Sequence, residues 1–265
     1  MSTIKKAYAD TSLGQIHFCH RPGTGTPIVF LHQTASSSVM YHEVMQGLSL
    51  DNPLYAFDTP GFGGSPEPQG DKPSMLDFAD WLVEAINFCG IDNFHLLGHH
   101  TGVCIGAEIE NKHPQRVKSL MMIGPVPLTK EERESFREIT YALPPNADGS
   151  YLQQTWDYLL GLGADSDVRL HQRELADSIR AYSGRFLAYS AVWDQDFTSL
   201  YQQIKAPLLI MCAPDDILFD VFQRAKDLRP DAQAIELGGA NFEPDQDPDG
   251  VIKAIETFMG QHDNQ

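Results

Sequence analysis

The stretch Phe94-His95-Leu96-Leu97-Gly98-His99-His100-Thr101-Gly102-Val103-Cys104 constrains this chain more than any other. A mostly apolar run from Phe94 to Leu97 meets Gly-His-His-Thr-Gly, and a segment with small residues at Gly102, Gly106 and Ala107 follows. That order predicts a strand, a sharp turn and a helix. Glycines at 98 and 102 suit a strained turn in which a Cβ would strike strand or helix. The turn lifts His100 to the carboxyl end of the strand, at the mouth of a helix whose free N–H groups favour negative charge.

The rest of the chain repeats the strand-and-helix alternation. Ile4 to Ala9 and Gln15 to His20 read as a hairpin, with His17 and His20 on its surface. Short apolar runs at 27–31, 54–58, 117–124, 207–212 and 234–237 read as buried strands of a parallel sheet. Helices are expected at about 39–48, 74–89 and 249–259; in the second, Leu76, Ala79, Leu82, Val83 and Ile86 form one apolar stripe. From about 126 to 201 the strand pattern stops and helical stretches alternate with turns. Strands alternating with helices argue for an α/β fold with both sheet faces covered.

Three motifs in this order, Asp58-Thr59-Pro60-Gly61-Phe62-Gly63-Gly64-Ser65, Gly98-x-His100-x-Gly102 and Gly238-Gly239-Ala240-Asn241, resemble the α/β-hydrolase family, whose elbow reads G-x-S-x-G. The resemblance spans nearly the whole chain. It implies an α/β-hydrolase fold: a mostly parallel sheet flanked by helices, with a core of residues 1–125 and 202–265 and a helical cap over 126–201. The family's acid maps to Asp216, with Asp215 beside it as an alternative inward carboxyl. The family's histidine maps to Asn241 and its nucleophile to His100. The resemblance also implies an oxyanion hole made by the N–H groups of Thr34 and Thr101, with Gln33 standing where the family usually has Gly. Candidates for the substrate pocket are His32, Gln33 and His99 from the core, and Tyr141, Trp156 and Trp193 from the cap. The plainer alternatives are that His32 satisfies backbone groups in its loop and that the aromatics are core.

The double departure at His100 and Asn241 argues against acyl-serine chemistry, because a serine hydroxyl needs an adjacent base. Imidazole serves as base, acid or nucleophile at neutral pH without help. The expected function is therefore hydrolysis of a carbonyl compound (ester, lactone, amide or β-diketone), with His100 as general base or nucleophile and Asp216 and Asn241 as its partners. The alternatives are a lyase, decarboxylase or isomerase using His100 for proton transfer, and a non-catalytic ligand-binding member of the fold.

Composition narrows the partners. Nineteen basic against 36 acidic residues give a net charge of −17, a field that opposes nucleic acid and anionic membrane. No run approaches ~18 apolar residues, so no bilayer span is expected. Cys19, Cys89, Cys104 and Cys212 lack metal-type spacing and read as buried free thiols, which points to a cytoplasmic address. His32, His95, His99 and His100 have no carboxylate at ligand spacing, so neither metal nor cofactor is expected. The expected partner is a small-molecule substrate, and a homodimer is compatible with the sequence.

Overall fold

The structure, a computed structural model, describes residues 3–139 and 143–262. Eight strands form one sheet in the order β1-β2-β4-β3-β5-β6-β7-β8. They are β1 Lys5–Thr11, β2 Gly14–Arg21, β3 Ile28–Leu31, β4 Leu54–Phe57, β5 Phe94–His99, β6 Val117–Ile123, β7 Leu208–Cys212 and β8 Gln233–Glu236. Only β2 runs against its neighbours; from β4 to β8 every pairing is parallel. The central strands β3 and β5 are buried along their whole length, which is why they read as continuous apolar runs rather than alternating ones.

Helices cover both faces. They are α1 His42–Gly47, α2 Met75–Phe88, α3 Thr101–Lys112, α4 Lys130–Ile139, α5 Ser150–Gly161, α6 Val168–Arg180, α7 Tyr182–Asp194, α8 Phe197–Gln203, α9 Phe219–Leu228, α10 Glu243–Gln246 and α11 Pro248–His262. The helices α4 to α8 are a helical insertion between β6 and β7. One apolar layer packs α2 and α3 against the sheet and reaches into α7. A second packs α1 and α11 on the opposite face. Among the described residues no helix is long and apolar enough to cross a membrane.

Local chemistry sets the boundaries. Ser74 caps α2: its hydroxyl accepts the Asp77 N–H, and Asp77 accepts the Ser74 N–H at 2.7 Å, a reciprocal pair that fixes the first turn. Three expectations need correction. The helix expected at 39–48 is split, because Tyr41 sits near φ −92°, ψ 2° between a 3-10 turn, Ser38–Tyr41, and α1. In α2, Leu76 is exposed, and Met75 and Phe78 complete the buried stripe instead. His17 is buried rather than on the surface, because Ile16 to Cys19 are covered on both faces of β2. Its Nδ1 bonds Asp58 Oδ2 at 2.7 Å. The thiols of Cys19, Cys104 and Cys212 are buried, Cys89 is partly buried, and all four are free.

Candidate functional site

The expected strand–turn–helix forms around His100, which takes φ 46°, ψ −104° between β5 and α3. That backbone is costly for a residue with a side chain, and the packing around it is tight. A Cβ at Gly98 would stand 2.4 Å from the Gly102 carbonyl carbon, and one at Gly102 would stand 2.1 Å from the Leu31 carbonyl oxygen. Three backbone bonds hold the turn: His100 N–H to the Ile123 carbonyl, and the Val103 and Cys104 N–H groups to the His100 carbonyl.

From this apex the imidazole reaches the turn after β7. His100 Nε2 lies 2.6 Å from Asp216 Oδ2, with the histidine side chain 14% exposed and the aspartate fully buried. An ionised carboxylate only accepts, so Nε2 carries the proton and Nδ1 keeps the lone pair. The other carboxylate oxygen, Oδ1, accepts the Leu218 N–H at 2.6 Å. Asp216 is thus the inward acid, and Asp215 is exposed. Gly124, just past β6, lets the ring lie there, since a Cβ at this position would come 2.2 Å from His100 Cδ2 and 2.4 Å from Nε2. Nothing in the sequence marked this glycine as part of the site.

Asn241 does not bridge the pair. Its side-chain oxygen faces the Ile217 N–H at 3.4 Å, and its carbonyl accepts the Gln33 side-chain amide at 2.8 Å. The direct His100–Asp216 bond makes a bridging amide unnecessary. Asn241 still lines the cavity above His100.

That cavity is about 70 Å³ and is walled from the core side by Gln33, Thr34, His100, Thr101, Ile217, Leu218 and Asn241. The inserted segment contributes Val126, Phe136, Tyr158, Leu162, Tyr189, Val192 and Trp193. Beside the imidazole, the described lining residues carry apolar, aromatic, hydroxyl or amide side chains. The helical insertion is tied to the sheet side by Tyr189, whose hydroxyl donates to the Thr34 carbonyl at 3.2 Å, and by Arg180, which donates to the Gly61 and Ser65 carbonyls.

The remaining expected pocket residues divide cleanly. Gln33 and Trp193 line the cavity. His32 does not: its Nδ1 bonds the Gln33 carbonyl and its Nε2 accepts the Thr59 N–H, so both ring nitrogens serve the loop. His99 lies behind the elbow, fully buried, with Nε2 3.1 Å from Glu243 Oε2. The strand ends at His99, and the positive-φ backbone of His100 turns its ring towards Asp216 while the His99 ring stays behind the elbow, the two rings meeting edge to face at 4.4 Å. Trp156 turns away to stack on His171, their centroids 3.5 Å apart. Tyr141 lies outside the described residues.

Among the described residues, no serine lines this cavity. Ser36 donates to Glu174 and Ser37 to Asp177, both on α6, while Ser38 faces Cys19. Burial pushes the Cys104 thiol well above its usual range, which leaves it unreactive. For a cation, His99, His100 and Asp216 bring donor atoms within 4.8 Å of one another, as do Cys212, Asp216 and Glu243. Two ligands of one tetrahedral zinc stand about 3.3 Å apart, given bonds of about 2 Å. The 2.6 Å between His100 and Asp216 is instead the spacing of a hydrogen bond.

The sequence pattern of the alpha/beta hydrolase fold matches residues 26–240. The chain belongs to this family. It is similar to rat 1-acylglycerol-3-phosphate O-acyltransferase ABHD5, with 33% identity over 118 residues, covering 43% of this chain and 33% of that protein. It is also similar to the pimeloyl-[acyl-carrier protein] methyl ester esterase of Aeromonas salmonicida, with 31% identity over 107 residues, 40% of this chain and 41% of the esterase. The chain therefore spans well under half the length of these curated relatives. Among solved structures, a thermophilic esterase from Thermogutta terrifontis superimposes with a TM-score of 0.78 at 19% identity, over 98% of this chain and all of the other. That likeness establishes the fold.

Proposed function

We propose that this chain hydrolyses uncharged ester or lactone substrates, with His100 as general base and Asp216 as the anion that holds it. The observation that carries the reading is the 2.6 Å His100–Asp216 bond at the elbow, on the wall of an otherwise largely apolar cavity. Nδ1 takes a proton from water, whose oxygen attacks the carbonyl carbon. The N–H groups of Thr34 and Thr101 receive the oxyanion, as the family resemblance implies. The intermediate then expels the alkoxide, and His100 returns the proton to it. The Asn241 amide is assigned to the substrate rather than to the ring. The esterases among the relatives favour an ester, and the uncharged lining favours a neutral one. Residues 126–201 act as a cap over this cavity and supply half of its wall.

The test is a turnover screen over neutral esters and lactones, with the wild type beside His100→Ala and a serine-directed fluorophosphonate present. Turnover that the probe leaves intact and the variant abolishes is expected. Probe labelling with activity surviving in the variant would overturn the reading. Direct attack by Nδ1 is the close variant, and an acyl adduct on His100 seen by mass spectrometry separates it from base catalysis.

The apolar lining also favours a second reading, proton transfer at a C–H bond without water. Oxygen-18 from solvent would then be absent from the product.

A further inference from the structure

We propose that Glu243, the first residue of α10, is a positioning residue for the His100–Asp216 pair, and that it serves as an uncharged carboxylic acid held between Asp216 and His99. This rests on the assignment of His100 and Asp216 to the reaction.

Glu243 is fully buried. Its Oε1 accepts the Ala213 N–H at 3.2 Å, so it already braces the turn that carries Asp216. A carboxyl oxygen of Glu243, one of Asp216 and the Cys212 sulfur lie within 4.8 Å of one another. The titratable groups around it are Tyr41 from the 3-10 turn, His99 from β5, Cys212 from β7 and Asp216 from the turn beyond. None of them supplies a cation. Burial, reinforced by His100 and His32, holds His99 well below its usual range and therefore neutral. Burial keeps the Tyr41 hydroxyl and the Cys212 thiol protonated.

Two carboxyls this close, with no cation between them, do not both ionise. Hydrogen bonding decides which one keeps the proton. Asp216 has a donor on each oxygen, His100 Nε2 and the Leu218 N–H. Glu243 is favoured as an anion only by the Ala213 N–H on Oε1 and its own backbone N–H, and its Oε2 faces no donor. The charge belongs on Asp216 and the proton on Glu243 Oε2. Burial and the neighbouring Asp216 push the Glu243 carboxyl in that same direction. Oε2 approaches His99 Nε2 to 3.1 Å, off the line of a hydrogen bond, and neither His99 nitrogen has another partner. The Nε2 lone pair takes the same line its N–H would, so that misalignment holds for an acceptor too, and an O–H on Oε2 is directed at Asp216. It steadies Asp216 without adding a second negative charge beside His100.

The experiment is infrared spectroscopy of the full chain at about pH 8 in light and heavy water, with Glu243→Gln for comparison. At that pH Asp177, which burial raises to about 6, is ionised and silent. The wild type should show the C=O stretch of a protonated carboxyl, shifted in heavy water and missing from the variant. Kinetically, Glu243→Gln should keep kcat, KM and the acid limb of the pH profile within about threefold, whereas Glu243→Ala should lose roughly tenfold in kcat with KM unchanged. No protonated-carboxyl band in the wild type overturns the proposal. So does a Glu243→Gln variant that loses as much as Glu243→Ala, or whose acid limb moves by about a unit. If the chain turns over no ester or lactone, the functional reading fails, and the infrared band still decides the state of Glu243.

Discussion

Among the described residues, two buried histidine–aspartate pairs share nearly the same geometry. His17 and Asp58 meet at 2.7 Å with side chains 9% and 2% exposed, and His100 and Asp216 meet at 2.6 Å with 14% and 0%. Their surroundings differ. Asp58 also accepts the Ser38 and Gly64 N–H groups, and its carbonyl accepts the Ser65 hydroxyl, so it pins β2 to the glycine-rich turn after β4. His17 packs edge-on against Tyr8 and close to Gly64, away from the residues that line the cavity above His100. His100 is held in a strained backbone and is the titratable side chain facing the cavity. A hydrogen-bonded imidazole–carboxylate pair is thus not a site in itself. The proposed chemical role of His100 rests on the elbow apex and the adjoining cavity, whereas the His17–Asp58 pair joins a strand to a turn.

The comparison can be pressed from several sides. Asp216→Asn should cost at least ~10²-fold in kcat, because the ring loses the anion that fixes its tautomer and orientation. Measured kcat with an unchanged melting temperature would confirm it, and a loss below about threefold would put Asp216 in the same class as Asp58. Gly124→Ala should cost roughly 10- to 100-fold in kcat, since its Cβ would overlap the imidazole and displace it by about an ångström. Retained activity would mean that the placement of the ring is not what matters.

At the other pair the effect should fall on stability alone. Burial works to raise the Asp58 carboxyl, but the bonds from His17, Gly64 and Ser38 and the nearby His32 outweigh it and hold it at about 2. The folded value lies below the ordinary 3.8, so the stabilisation is present above about pH 4 and is lost as pH falls towards about 2. Asp58→Asn should lower unfolding free energy by about 2 kcal/mol at neutral pH, with the difference from wild type shrinking in acid. Denaturant melts across pH would show this, and a gap that persists at the acid end would contradict it. The smallest effect is expected for Tyr189→Phe, which removes the hydroxyl tying the cap to the Thr34 carbonyl. It should cost about 0.5–1.5 kcal/mol in melts and change turnover only a few-fold.

The sequence made the elbow legible because its constraint is local. Two glycines, a β-strand run before them and a small-residue helix after them need no knowledge of the rest of the chain. The acid was less legible: the resemblance left Asp215 and Asp216 open, and the contact with His100 on another element separates them. A hairpin read from local pattern puts His17 on its surface, whereas β4 and the turn at Asp58, contributed from farther along the chain, cover it. Gly124 and Glu243 were invisible for a different reason. Each has meaning only against a side chain contributed by another element, His100 in one case and His99 with Asp216 in the other. The cap was the least legible region. Which aromatics face the cavity depends on how α4 to α8 pack, so Trp193 turns in while Trp156 stacks on a neighbouring helix.

The most direct measurement is a crossed one: kcat/KM on a neutral ester and the melting temperature, for His100→Ala and His17→Ala side by side. The account predicts at least a ~10²-fold loss of kcat/KM with little change in melting for His100→Ala, and lowered melting with kcat/KM within about threefold for His17→Ala. Equal kinetic losses in both, or full activity in His100→Ala, would contradict it.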